Sequence, residues 1–332
     1  MKTKIVLDCF GGDYPEKIIS GAALTLRRLP EVHLILTGKR EKIEEILKRE
    51  EYDARRLEII DADEVIANGE SPVAALREKG ERSSLGAAYR ALKADDAAAM
   101  ISAGSTGAVL CGGIFLLGKC RGVDRPALAS LLPADDGGQV CLTDCGANAD
   151  CHPSQLLNFA RYASVYVKAA CGIAAPKIGL LSNGSEEGKG NRLTKDAFAL
   201  LKDSGLNFIG NIEAKEVLSG KADVVVADGF SGNVLLKGVE GTAKSVIGRA
   251  ARLLKTYLPE ASMPAAKKAL DELVRSTDFN AQGGALLLGV KKIVVKAHGS
   301  ACEETVLHTA EQAVRMAEQH FDKLLEEEEE RI

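Results

Sequence analysis

The sequence predicts an α/β protein, three layers deep (α/β/α), with helices on both faces of a mostly parallel sheet. Two observations carry that expectation. Short apolar runs alternate with amphipathic helical patterns along the 332 residues. Six of those runs also stop at a small-residue polar loop: FGGD (Phe10–Asp13), SAGSTGA (Ser102–Ala108), DCGAN (Asp144–Asn148), NGSEEGKGN (Asn183–Asn191), DGFSGN (Asp228–Asn233) and AHGS (Ala297–Ser300). Repeated strand, loop and helix imply right-handed crossovers, with the loops gathered at the strand carboxyl ends. Glycines let backbone amides approach a ligand, and a helix N-terminus behind them favours negative charge. Loops of this kind collected at one edge predict a cleft for an anion and a polar small molecule.

The elements follow in order. KIVLD precedes EKIISGAALTLRRL, and VHLILTG precedes REKIEEILKREE. LEIIDADEVI leads to helical stretches around Pro72–Arg77 and Ser83–Lys93, and AAAMIS to GAVLCGGIFLLG. QVCLTD is followed by SQLLNFARYASVYVKAA, and KIGLLS by LTKDAFALLKDSG. NFIGNIE and ADVVVAD are further strands, the second running into a long helical pattern from Val234. KIVVKA precedes a final helix from about Thr305, whose acidic run Glu326–Glu330 reads as a solvated helix end. No linker or composition break divides the chain, so one catalytic domain over residues 1–332 is expected. The segment 250–278 stands out as a protruding helical hairpin with a proline-marked turn. Its apolar positions lie among Arg249, Arg252, Lys255, Lys267 and Lys268, which suits a dimer interface or a peripheral membrane contact.

Composition excludes several classes. Aromatic residues make up 4% with no Trp, and the net charge is −4, so neither base stacking nor polyanion attraction predicts a nucleic-acid partner. Met1-Lys-Thr-Lys runs straight into a strand without a signal-peptide pattern, and no apolar run is long enough to span a bilayer. A cytoplasmic protein is expected, with its eight cysteines reduced. Cys141, Cys145, Cys151 and His152 lack zinc-ligand spacing and read as structural filler; no metal or cofactor is expected.

The loops fail the common signatures. Between Gly184 and Gly188 stand three residues where a Walker A loop needs four, and Gly190 follows Lys189 in place of Ser or Thr. No GxGxxG opens the first βα unit, and neither GxSxG nor HExxH occurs. No strong candidate for a covalent nucleophile stands out, so the loops read as built to bind and orient, and a direct transfer between two bound substrates is expected.

Taken in order, FGGDYP, ISAGSTGA, RPALASLLP, TDCGAN, LLSNGSEEGKGN, NFIGNIEAKEV, ADVVVADGFSGNVLLKGVEG and GGALLLGVKKIVVKAHGS resemble the phosphate acyltransferase of bacterial phospholipid synthesis (the PlsX family), from about Lys4 to about Ala317. The resemblance implies an enzyme that moves a fatty acyl group from acyl–acyl carrier protein to inorganic phosphate, directly and without an acyl-enzyme. The acyl phosphate would pass to a membrane glycerol-3-phosphate acyltransferase. It implies a fold similar to phosphotransacetylases and isocitrate/isopropylmalate dehydrogenases, and a homodimer peripherally attached to membrane. Ser105 stands where the family has Asn, which is longer and carries an amide donor.

That chemistry needs a phosphate cradle, donors for an oxyanion and a proton acceptor. Gly11 and Gly12, with Ser102, Gly104, Ser105, Thr106 and Gly107, are assigned to phosphate; the plain alternative is a helix cap with turn glycines. Lys189 would neutralise phosphate or carbonyl charge, unless it is a solvated loop lysine. Asn148 and Asn233 are candidate oxyanion donors, and Asn191 closes a loop; Asn also suits turn geometry for its own sake. His298, at a strand end, is the acid–base candidate. Asp13 and Asp228 are expected to organise loops, because a carboxylate facing phosphate repels it. Two other functions fit less well: a decarboxylating dehydrogenase, which needs a nicotinamide site and clustered acidic metal ligands, and a non-catalytic carrier-protein or membrane adaptor.

Overall fold

The structure is a computed structural model that describes residues 3–94, 97–277 and 282–331. Its strands are β1 (Thr3–Asp8), β2 (Val32–Gly38), β3 (Leu57–Asp61), β4 (Ala99–Ser102), β5 (Ala127–Pro133), β6 (Gln139–Thr143), β7 (Ile178–Ser182), β8 (Phe208–Glu213), β9 (Val224–Val226), β10 (Ala285–Leu288) and β11 (Ile293–Lys296). All eleven form one sheet in the order β3-β2-β1-β4-β11-β10-β5-β6-β9-β7-β8. Side chains alternate across it: Ile5 and Leu7 enter one apolar cluster, and Val6 the other. Helices α1 (Pro15–Arg28), α6 (Pro153–Cys171) and α10 (Glu303–Glu318) pack into the first cluster. Helix α4 (Ser84–Ala94), α5 (Thr106–Gly112) and the start of α8 (Gly229–Tyr257) cover the second. Three layers and a mostly parallel sheet are what the alternating pattern predicts.

The direction of the strands departs from the single-edge expectation. β3, β2, β1, β4 and β11 pair in parallel, as do β6, β9, β7 and β8. Between these blocks β10 pairs antiparallel with β11 and with β5, and β5 antiparallel with β6. Three reversals in succession turn the second block against the first. The loops after β1, β4 and β11 therefore gather at one end of the sheet, and those after β6, β7 and β9 at the other. β5 and β10 escape the alternating pattern because each is joined to its neighbour by a short turn, with no helix between.

Two further expectations change. The tail is two helices, α10 and α11 (Phe321–Arg331), separated at His320, whose φ of 51° is left-handed. α11 packs on α6 through buried Phe321 and Leu325, and Glu329 lies against the Cys120 thiol, so the acidic run is not simply a solvated end. The cysteines are all free, and Cys141, Cys145 and Cys151 do not converge with His152; among the described residues the grouping close enough for a metal is Cys302, Glu303 and Glu304. The segment singled out at 250–278 is the far half of α8 joined through Leu258 and Pro259 to α9 (Met263–Ser276), with Asp278 outside the described residues. Beyond Leu236 no α8 residue is buried, and Val246, Leu253, Tyr257, Leu273 and Val274 are exposed. No described helix is long and apolar enough to cross a membrane.

Candidate functional site

Three loops of the first block interlock through backbone contacts that only glycine permits. A Cβ on Gly11 would stand 2.4 Å from Asp8 Oδ2 and 2.6 Å from the Gly104 nitrogen. One on Gly12 would meet Ala103 Cβ at 2.8 Å and the Gly299 oxygen at 3.0 Å. Beneath them Ser102 Oγ donates to Asp8 Oδ2 at 2.7 Å and accepts from the Gly104 amide at 3.0 Å. Burial outweighs these hydrogen bonds and raises the Asp8 carboxyl above its ordinary range. Asp13 donates its amide to the Gly299 oxygen at 2.8 Å, and its Oδ1 accepts from Asn68 at 3.3 Å. Gly11, Gly12, Ser102 and Asp13 thus shape the loop cluster from below. Gly107 lies where a Cβ would touch Pro72 at 2.7 Å, again a packing constraint.

The second cluster has its own frame. Buried Asp144 accepts from the amides of Leu128, Gly146 and Ala147 through Oδ1, and from the Asn148 amide and side chain through Oδ2, at 2.8–3.1 Å. Burial still raises its carboxyl. Asn148 is 3% exposed and spends both amide hydrogens on Asp144 and the Pro126 oxygen, so it holds the loop and is not presented to a ligand. Asn191 caps α7 (Arg192–Lys202), accepting from the Thr194 amide at 2.9 Å. Asp228 caps α8, accepting from the Ser231 amide at 2.8 Å and hydroxyl at 2.9 Å.

Helix α8 starts at the second cluster and reaches the first. With the sheet's middle strands it encloses a cleft of about 420 Å³. Gly104, Ser105, Thr106 and His298 stand on one wall, and Asn233, Lys237 and Glu240 on the other. The floor is apolar, formed by Leu128, Leu131, Leu132 and Leu236 with Cys145. Of the residues expected from sequence, Gly104, Ser105, Thr106, His298 and Asn233 meet here. Lys189 does not: it is exposed on the β7 loop, folded over Gly184. Ser105 also caps α5, accepting from the Ala108 amide at 3.3 Å.

Two cations of the cleft escape sequence reasoning. Lys296 ends β11, and its Nζ donates to the carbonyl oxygens of Ala103, at 3.5 Å, and Ala297. Burial first, then the nearby Lys237 charge, lowers its pKa to about 8. Lys237 is paired with Glu240 at 2.9 Å, one helical turn on. The KIVVKAHGS motif carries the signal for Lys296, since an apolar strand that ends in lysine two residues before a histidine puts both at the carboxyl edge.

His298 holds Nδ1 against Ser300, accepting the Ser300 amide at 3.3 Å with the hydroxyl at 2.8 Å. That places the proton of the neutral ring on Nε2, making it a donor. Desolvation and the charge of Lys237 lower its pKa, which keeps it neutral at pH 7. The geometry therefore favours hydrogen-bond donation by His298 over the proton acceptance expected from its strand-end position. Cys145 is a weak nucleophile: burial pushes its thiol up to about 12, and Sγ points at the Leu142 oxygen at 3.0 Å.

Residues 3–324 match the family described as fatty acid synthesis protein. A phosphate acyltransferase from Geobacillus thermodenitrificans (strain NG80-2) is 44% identical over 314 residues, 94% of each chain. One from Bacillus cereus (strain G9842) is 40% identical over 315 residues, again 94% of each. Among solved structures, a phosphotransacetylase from Streptococcus pyogenes superposes with a TM-score of 0.62 at 18% identity, covering 95% of this chain and 94% of its own. A branched-chain phosphotransacylase from Enterococcus faecalis V583 gives 0.60 at 15%, covering 96% and 100%. At such identities the likeness is one of fold.

Proposed function

On the premise that this chain belongs to the fatty acid synthesis protein family, we propose that it is a phosphate acyltransferase, taking a fatty acyl group from acyl–acyl carrier protein to inorganic phosphate. The observation that carries this reading is the mixed lining of the central cleft. Two lysines, two hydroxyls and a neutral histidine suit a phosphate dianion, directly above an apolar floor that suits a thioester. The curated relatives bearing the name phosphate acyltransferase support it.

The reaction needs no group beyond the two substrates. An oxygen of hydrogen phosphate attacks the thioester carbonyl carbon, forming the new C–O bond. The tetrahedral oxyanion collapses and the C–S bond breaks; the proton of hydrogen phosphate passes to the leaving sulfur, giving acyl phosphate and free thiol. Lys296 and Lys237 neutralise and hold the phosphate, and Ser105 and Thr106 orient it. Asn233 and His298 Nε2–H donate to the developing oxyanion. Direct attack fits a cleft whose one cysteine is buried as a thiol, and whose histidine is engaged by Ser300. Lys189, exposed on the β7 loop, has no part in this cleft.

The product suits a membrane glycerol-3-phosphate acyltransferase making phosphatidic acid. The exposed apolar face of the α8–α9 hairpin suits contact with a second copy or with the cytoplasmic membrane surface. Sedimentation with and without anionic vesicles, using Arg252→Glu/Lys255→Glu, separates the two. Hydroxylamine trapping of acyl phosphate from acyl–acyl carrier protein and phosphate tests the reaction; no product at any of several chain lengths sinks it.

A further inference from the structure

We propose that an apolar slot between the β7 loop and the first turns of α8 receives the hydrocarbon chain of the thioester, so that Val234 and Leu235 set the preferred chain length. This rests on the acyl-transfer reading above and gives the chain a place. The slot measures about 680 Å³ and its walls are largely Leu181, Ala214, Ala227, Phe230, Val234 and Leu235.

Its electrostatics are the opposite of the cleft's. No lysine, arginine or histidine lines it, and its one charged side chain, Asp228, is occupied with Ser231. A second phosphate or any other anion would meet a carboxylate and no counter-charge. Asn191 and Thr194 at the rim satisfy each other, which leaves Ser182 Oγ without a partner among the buried polar side-chain atoms of the lining. A neutral, apolar occupant is what such walls accept.

The slot and the cleft share one helix as a wall, each lined by a different face of α8. Asn233, Leu236, Lys237 and Glu240 recur at helical spacing and face the cleft, while Ser231, Val234 and Leu235 face the slot. At the slot's own edge Phe230 and Val234, four apart, form an apolar ridge, 66% and 58% exposed. A chain whose carbonyl sits at Asn233 crosses that ridge into the slot and covers it. The thioester is then divided: reacting atoms among the cations, methylenes beyond α8.

The test is a series of acyl–acyl carrier protein thioesters from butanoyl to hexadecanoyl, read as acyl phosphate. For the parent chain kcat/KM rises about fourfold per methylene until the slot is full. Val234→Trp, at an exposed position of the slot lining, shuts out at least two methylenes and lowers the dodecanoyl-to-butanoyl ratio about tenfold or more. Leu235→Ala, which widens the slot, moves the preferred length upward. Unchanged ratios in both variants, with melting temperatures near the parent's, overturn the slot. A change of oligomeric state without a change of ratio assigns the ridge to a second copy and overturns it equally. If the parent chain makes no acyl phosphate from any thioester, the acyl-transfer reading itself fails.

Discussion

Replacing Lys296 by Met should make the protein bind phosphate worse and, at neutral pH, fold better. The ordinary lysine value is 10.5 and the cleft lowers it to about 8; at about 1.4 kcal/mol per pH unit, holding the ammonium there costs about 3 kcal/mol below pH 8. The ammonium's bonds to the Ala103 and Ala297 carbonyls return about 1 kcal/mol each, so Lys296→Met gains about 1 kcal/mol net. In a chain of 332 residues that is about 1–2 °C in Tm. The sign reverses at high pH. Between about 8 and 10.5 the folded lysine is neutral while the unfolded one stays charged, so the folded state binds fewer protons and the parent gains stability. By pH 10 the penalty is under about 1 kcal/mol while the neutral amine still donates to the two carbonyls, so the variant becomes the less stable protein. Losing one charge-assisted hydrogen bond, about 1.5–3 kcal/mol, raises the phosphate KM tenfold or more. Lys296→Arg, which stays charged, keeps part of that affinity and loses the alkaline limb of kcat/KM near pH 8. Calorimetry at pH 7 and 10, with phosphate kinetics, decides the matter. A Tm change of one sign at both pH values, or an unaltered phosphate KM, refutes the reasoning.

His298→Ala should lower kcat about 100-fold through loss of an oxyanion donor, and His298→Gln should restore part of it. Equal rates for both variants would return the ring to a structural role. Because burial and Lys237 lower the His298 pKa, its ring should titrate below 6.5 in an NMR pH series on the free protein; a midpoint above 6.5 contradicts that. Asp144→Asn leaves donors facing an amide that accepts through one oxygen only, and should cost about 2–4 kcal/mol in urea unfolding. Gly11→Ala, with its Cβ 2.4 Å from Asp8 Oδ2 and 2.6 Å from the Gly104 nitrogen, should cost about 1–3 kcal/mol and weaken phosphate binding together. Full activity and unchanged unfolding in this variant would mean that the loops can part.

The helix-bearing strands were legible because each carries its own apolar run and its own loop. β5 and β10 were not, since ALASLLP and ALLL sit in hairpin-like connections that an alternating pattern passes over. Missing them hid the reversal of the sheet, and with it the division of the loops between two ends. The cleft residues show the same limit. Ser105, Thr106 and His298 belong to loops that announce themselves by composition, whereas Lys237 lies two turns inside a helix and looks like any surface lysine. Its place beside Lys296 comes from the crossing of α8 over the sheet, a long-range property. Asn148 and Asn233 are indistinguishable as letters at the ends of Gly-rich loops. One is sealed beneath Asp144, and the other stands on the rising helix.

Helix α8 also works as a ruler. From its cap at Asp228 to Lys237 it rises about 1.5 Å per residue, so about 13 Å separate the foot of the slot from the cation of the cleft. That length is carried by a rigid rod and does not stretch with the substrate. One residue inserted between Asn233 and Leu236 would turn everything beyond it by about 100° and swing Lys237 and Glu240 off the cleft while leaving the Asp228 cap intact. Related chains are free to vary in the hairpin beyond Tyr257, but the count of residues from Asp228 to Glu240 should be invariant among those that keep both the cleft and the slot.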